Sequence, residues 1–230
     1  MKGIPVSERP AVLFDLDGTL TDPCIGITDS VAYALGKFGI AVDDPHRTLT
    51  PFIGPPLLES FEKFYGFTPD EARRALGYYR EYFSPKGIFE NTVYPGVPEM
   101  LEALRAAGKR LCVATSKPEA YARRILEHFS LETCFDAVCG ATMDETRVRK
   151  ADIIAYALRT MGVPPDSAVM VGDRLHDAEG AHACGLPVVG AAYGYGSREE
   201  LTEAGVDAMA DTPSDILRIL LDGRAQAHIQ

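Results

Sequence analysis

An α/β fold is predicted for this 230-residue sequence, built on a doubly wound parallel sheet with an all-helical segment inserted after the first strand. Three observations carry that expectation. From Tyr94 onward, short apolar runs alternate with amphipathic stretches of about ten residues, the pattern of strands joined by helices across a parallel sheet. Between Thr21 and Asn91 the alternation vanishes and only helical spacing is found. The apolar run Ala11-Val12-Leu13-Phe14 leads directly into Asp15-Leu16-Asp17-Gly18-Thr19, a buried strand that delivers two acids into a turn.

In chain order, the first strand ends on those acids. Side chains two apart on an extended chain point the same way, so Asp15 and Asp17 share one site. That site lies at the strand's carboxyl end, where open α/β sheets bind ligands. Within the insertion, residues 27–38, 57–65 and 70–83 are amphipathic helices, separated by the breakers Pro51, Gly54, Pro55 and Pro56. After Tyr94-Pro95-Gly96, residues 98–107 carry Met100, Leu101 and Leu104 at helical spacing and end near Gly108. A strand over 111–114 follows, and Lys117-Pro118 opens the next helix with proline in its first turn. Residues 135–139 form a strand, 151–161 a helix with Lys150 at its start, and 168–171 a strand. A helix over 177–184, an extended run over 187–191 and a helix over 216–221 complete the chain. The core therefore comprises residues 1–21 and 92–230, and the helical insertion residues 22–91. An insertion at that point would hang over the carboxyl edge of the sheet as a lid.

Composition narrows the function. A hydrophobic fraction of 46% is ample for a core, and a net charge of −10 argues against sequence-independent binding to nucleic acid or to an anionic membrane. No apolar run reaches bilayer length and the amino terminus lacks a signal-peptide pattern, so a cytoplasmic protein is expected. The five cysteines are dispersed, without the paired spacing of a zinc site, and read as reduced thiols.

Further motifs fall where this topology brings them to Asp15. Val113-Ala114-Thr115-Ser116-Lys117-Pro118 places hydroxyls and free amides at a strand-to-helix junction, which suits either a phosphate or a plain helix cap. Lys150 opens a helix after a polar loop, with Arg147 and Arg149 as alternatives close by. Val171-Gly172-Asp173-Arg174-Leu175-His176-Asp177 sets two acids four apart across a turn, a spacing that suits a hard cation with oxygen ligands. Asp173 is the better direct ligand, while Asp177 reads equally as a neighbour of the ion and as a helix cap. His176 is assigned to the surface or the outer surroundings of the site, since Mg²⁺ seldom takes imidazole. Arg174 reads equally as an ion-pair partner of Asp177 or a nearby loop and as a contact to substrate, and the Tyr193-Gly194-Tyr195-Gly196 segment reads as a loop at the sheet's edge.

Together these motifs resemble the haloacid dehalogenase superfamily, specifically its phosphatases with a small helical cap. Phe52-Ile53-Gly54-Pro55-Pro56-Leu57, Gly172-Asp173-Arg174-Leu175-His176-Asp177 and Gly194-Tyr195-Gly196-Ser197 are similar to the phosphoglycolate phosphatase-like branch, which includes relatives called 5′-nucleotidase. The resemblance implies that Asp15 is a nucleophile forming an aspartyl phosphate and that Asp17 is the general acid and base. It further implies that Thr115 and the Ser116 amide hold phosphate oxygens and that Lys150 bridges nucleophile and phosphoryl group. Mg²⁺ would be bound by Asp15, the backbone carbonyl of Asp17, and Asp173, with Asp177 behind them. The partner is then a small phosphomonoester, phosphoglycolate or a nucleoside 5′-monophosphate, with the chain acting as a monomer or small homo-oligomer.

Charge counting supports the scheme. Four acids cannot share a pocket with a phosphate dianion unaided. A protonated Asp17 leaves three charges, which one divalent cation and Lys150 offset. Gly54, Pro55 and Pro56 form the loop expected to select substrate, or else a simple break between helices, and Arg47 and Lys63 are possible carriers of positive charge. A phosphomutase of the same superfamily would keep Asp15 and Asp17, and a non-catalytic ligand-sensing module would have lost one of the acids or Lys150. All are present.

Overall fold

The computed structural model describes residues 4–222, so the extreme ends of the expected core segments lie outside the described residues. Two compact units are found: the segment ending at Leu20 together with that beginning at Val93, and the segment Thr21–Thr92.

The first unit holds a sheet of six strands: β1 (Ala11–Phe14), β4 (Arg110–Pro118), β5 (Ala137–Ala141), β6 (Ala168–Gly172), β7 (Val188–Ala191) and β8 (Ala208–Ala210). Their spatial order is β5-β4-β1-β6-β7-β8. Neighbours run parallel, with Phe14 level with Val113 on one side and Val171 on the other. Parallel strands are covered on both faces, which is why these segments read as unbroken apolar runs. All four residues of β1 are fully buried. Ala11 and Leu13 face a cluster with Ile153, Ile154 and Ala157 from α7 (Lys150–Met161) and Ala178 and Ala181 from α8 (Leu175–Ala183). Burying a leucine or isoleucine side chain contributes about 1.5–3 kcal/mol.

The remaining helices of this unit are α5 (Val97–Ala106), α6 (Glu119–His128), α9 (Arg198–Glu203) and α10 (Pro213–Asp222). Lys117-Pro118 does not open α6 as expected. Strand β4 runs on through Pro118, which pairs with Ala141 of β5 after an irregularity at Thr115, and Pro118 becomes the residue before the helix. Pairing with a neighbouring strand has overridden the local proline signal. Strand β5 also starts two residues later than expected, and α9 and β8 were not anticipated.

The second unit is helical: α1 (Cys24–Gly36), α2 (Pro45–Thr48), α3 (Leu57–Tyr65) and α4 (Pro69–Phe83). Its chain enters through β2 (Thr21–Asp22) and leaves through β3 (Thr92–Val93), which form a two-stranded sheet. Helix α4 starts with a reciprocal cap, in which Thr68 accepts the Glu71 amide and Glu71 accepts the Thr68 amide. Phe52 and Phe61 are buried and meet at 5.2 Å between ring centres. Among the described residues no helix is long and apolar enough to cross a membrane.

Candidate active site

The carboxyl ends of the three central strands converge. Asp15 follows β1, and its amide donates to Val171 O at 2.9 Å, which locks the loop after β1 to β6. Asp173 follows β6 and is fully buried. Asp177 sits in the first turn of α8, where its Oδ2 accepts the Arg174 amide at 3.1 Å. It therefore serves as a cap, and it also joins the acidic cluster: carboxylate oxygens of Asp15, Asp173 and Asp177 all lie within 4.8 Å of one another.

Lys150 reaches this cluster from the start of α7. Its Nζ lies 2.9 Å from Asp15 Oδ1 and 2.7 Å from Asp177 Oδ1, and donates to Ala114 O at 3.1 Å. Its stem runs so close to α8 that a Cβ on Gly180 would come within 2.8 Å of Lys150 Cβ. The two arginines considered beside it do not take its place. Arg147 donates to Gly140 O at 3.0 Å and lies over the Tyr156 ring, and Arg149 is exposed.

Asp17 stands apart from the triad. Its Oδ2 lies 2.6 Å from Lys117 Nζ, and both side chains are nearly buried. This partner was not anticipated, because Lys117 was read as the start of a helix. Thr115 is buried, and its Oγ1 accepts the Lys117 amide at 3.2 Å while keeping its own proton free to donate. Ser116, next to it, is half-buried.

Glycines and a tyrosine loop complete the cradle. Gly18 has φ +84°, and a Cβ there would come within 2.1 Å of Asp173 Oδ2. Only glycine permits both that backbone and that approach. The segment after β7 is more than a loop at the sheet's edge: Tyr195 N donates to Asp173 Oδ2 at 2.8 Å, and Thr19 Oγ1 donates to Asp173 Oδ1 at 3.3 Å. Tyr193 donates to Thr19 O at 2.7 Å. Gly-Tyr-Gly-Ser in the sequence was the one available hint of this contact. Arg174 pairs with Glu200 at 2.9 Å, and His176 points to Glu179 at 3.9 Å with its side chain 41% exposed.

Burial sets the electrostatics. Desolvation pushes the carboxyls of Asp17, Asp173 and Asp177 above the usual range, opposed by Lys117 at Asp17 and by Lys150 at Asp177. Burial works against the Lys150 charge, but Asp15 and Asp177 outweigh it and hold the ammonium above the usual lysine range. Four buried carboxylates face two ammonium groups, and each uncompensated buried charge costs several kcal/mol. Among the described residues, Asp17 Oδ1 is buried without a hydrogen-bond partner. An all-oxygen cluster with surplus negative charge fits a hard divalent cation.

In the second unit, Gly54 has φ +105° and Pro56 precedes α3. Arg47 and Lys63 are exposed there, and Lys63 lies over the Phe64 ring.

The chain is similar to known proteins over most of its length. The family model for haloacid dehalogenase-like hydrolases matches residues 12–191. A 5′-nucleotidase from Pseudomonas aeruginosa is 47% identical over 192 residues, covering 84% of this chain and 86% of that protein. The tyrosine-protein kinase PtkA of Mycobacterium tuberculosis is 42% identical over 192 residues, covering 84% of this chain and 65% of that protein. The crystal structure of a predicted phosphatase from Clostridium acetobutylicum superposes with a TM-score of 0.91 at 45% identity, covering 94% of this chain and all of that one. With that model spanning residues 12–191 and relatives of this identity and coverage, the chain belongs to the haloacid dehalogenase-like hydrolase family.

Proposed function

We propose that this chain hydrolyses a phosphomonoester of a small metabolite, phosphoglycolate or a nucleoside 5′-monophosphate, with Mg²⁺ as its cation. The observation that carries the reading is Lys150 set between Asp15 and Asp177 at 2.9 and 2.7 Å, at the ends of β1 and β6. A carboxylate held beside a buried ammonium is fixed in orientation, which is what a nucleophile requires.

In this reading Asp15 attacks phosphorus and becomes the aspartyl phosphate. The ester P–O bond breaks, and the departing oxygen takes a proton from Asp17. Asp17 then removes a proton from the water that cleaves the aspartyl phosphate, so both halves use one acid–base group. The Thr115 hydroxyl and the Ser116 amide hold phosphoryl oxygens, and Lys150 bridges them to Asp15. Asp15, Asp173 and the Asp17 backbone carbonyl would hold the metal, with Asp177 beside them. When bound, the ion supplies positive charge to the phosphoryl oxygens. We assign substrate selection to the helical insertion, residues 22–91, and within it to the Gly54-Pro55-Pro56 loop. A cytoplasmic setting goes with this reading, the five cysteines being free thiols.

The nucleotide and the phosphoglycolate readings rest on the relative named 5′-nucleotidase and on the branch motifs. The test is phosphate release from a panel of phosphorylated metabolites, with and without EDTA. Release is expected from one or a few small esters, abolished by EDTA and by Asp15→Asn. Turnover that needs a bisphosphate activator would instead mark a mutase, binding without release a sensing module, and transfer to a tyrosine hydroxyl the activity named for the mycobacterial relative.

A further inference from the structure

The roles assigned above leave out Lys117, the better-buried partner of Asp17. Its side chain is 5% exposed, that of Asp17 11%, and their charged atoms are 2.6 Å apart. The two oxygens of the Asp17 carboxyl differ sharply. Oδ2 is gripped by Lys117, whereas Oδ1 is buried and meets no hydrogen-bond donor among the described residues. A buried acceptor left unpaired costs about 1–3 kcal/mol, so one that persists calls for a functional reason.

The backbone explains why Lys117 arrives there. Strand β4 continues past Thr115, whose hydroxyl accepts the Lys117 amide, and Pro118 pairs with Ala141. The irregularity at Thr115 thus aims Lys117 at the loop after β1, instead of letting it begin a helix. A contact so deeply buried is rigid, since moving apart would leave the Lys117 ammonium a buried, unpaired charge.

We propose that Lys117 is the positioning residue for Asp17: by fixing Oδ2, it leaves Oδ1 as the one oxygen that exchanges a proton with the ester oxygen. The proposal rests on the phosphatase reading and adds to it a residue that acts through another. In the first half-reaction, Asp15 forms a bond to phosphorus and the P–O ester bond breaks. Its electron pair stays on the ester oxygen, and the proton on Asp17 Oδ1 passes to that oxygen, yielding alcohol and aspartyl phosphate. Without Lys117 the carboxyl turns about its Cβ–Cγ bond and tilts away, and orientation is lost.

The experiment compares two esters through kcat/KM, which reports on formation of the aspartyl phosphate. An alkyl phosphate leaves as a poor alkoxide and needs the proton, whereas 2,4-dinitrophenyl phosphate leaves without one. In Lys117→Met the ratio of kcat/KM for the alkyl ester to that for the dinitrophenyl ester is expected to fall roughly 10- to 100-fold, within the range of general-acid effects. In an Asp17→Asn background, Lys117→Met is expected to change the ratio no further, because both substitutions remove the same contribution. An equal loss on both esters, or additive losses in the double variant, would overturn the proposal and leave Lys117 a structural ion pair. Should the methionine variant not fold, Lys117→Arg carries the test: the larger, planar head displaces the carboxyl. The ratio should then fall about 3-fold or more, and a ratio equal to the parent's overturns the proposal. If Asp17→Asn alone leaves alkyl phosphate hydrolysis intact, the acid–base role of Asp17 fails, and the part given to Lys117 fails with it.

Discussion

At the amino-terminal ends of the strands, Arg9 donates to Ala168 O at 2.9 Å and Pro165 O at 3.1 Å, and Lys109 donates to Ser7 O and Arg9 O at 2.6 and 2.7 Å. Asp136 and Asp207 accept the amides of Leu111 and Val188, each at 2.8 Å. At the carboxyl ends of the same strands, Lys150 and Lys117 meet carboxylates, and Asp17 Oδ1 has no hydrogen-bond partner among the described residues. The contrast extends to the lysines themselves: burial lowers the pKa of Lys109, whereas at Lys150 the neighbouring acids overcome burial and raise it. Charges matched to neutral backbone groups close one end of the sheet. Charges matched largely to one another, with more buried acids than lysines, leave the other end poised to take a cation and an anionic ester.

The largest expected effect separates the ends by activity. Asp15→Asn should lower phosphate release by on the order of 10⁴-fold or more, the scale for loss of a nucleophile. The same change should raise the urea midpoint of the EDTA-treated protein, because it removes one charge from a surplus. If the midpoint falls instead, the surplus is not real and the comparison breaks.

Next comes Lys150→Met, which strips the ammonium from two buried acids. Equilibrium unfolding in urea should show a loss of about 3–5 kcal/mol, the range for breaking a buried pair by removing one partner.

A third prediction concerns pH and metal. Burial holds Asp17, Asp173 and Asp177 above the usual range, so the folded, metal-free protein keeps protons that the unfolded chain releases near pH 4. These groups therefore contribute stability at low pH that is lost as pH rises from about 4 through their raised values. In EDTA the urea midpoint should decline between pH 5 and 7. Mg²⁺ at about 100 times its Kd should add about 2.7 kcal/mol and flatten that slope. A midpoint that climbs over this range in EDTA would contradict the assignment.

The smallest effect belongs to the opposite end. Arg9→Met should cost about 2 kcal/mol, through lost charged hydrogen bonds to carbonyls, and should leave kcat and KM as they were. A change in kcat would mean that the two ends are coupled after all.

The apolar runs of β1 and β6 were legible because parallel strands are buried on both faces, and the acids after them because their spacing is local. Helix α3 matched its expected span, with Pro56 before it and Gly66 after it. Strand β8 was not legible: Ala208–Ala210 is three residues long and is defined by pairing with β7. The end of β4 was misread because its pairing with Ala141 lies outside any local window. The charge count changed for the same reason. From sequence, one lysine and a divalent cation offset three ionised acids with Asp17 protonated, whereas the folded chain brings a second buried lysine, Lys117, to Asp17.

By itself the sequence determined most of the elements, their order and the kinds of atoms gathered at the strand ends, since period, apolarity and turn residues act over a few positions. Which lysine faces which acid, that Asp177 joins the cluster while also capping α8, and that the Tyr195 amide holds Asp173 were decided only by the tertiary structure. Those pairings span tens of residues, and they are selected by the free energy of burying charge, which no local pattern encodes.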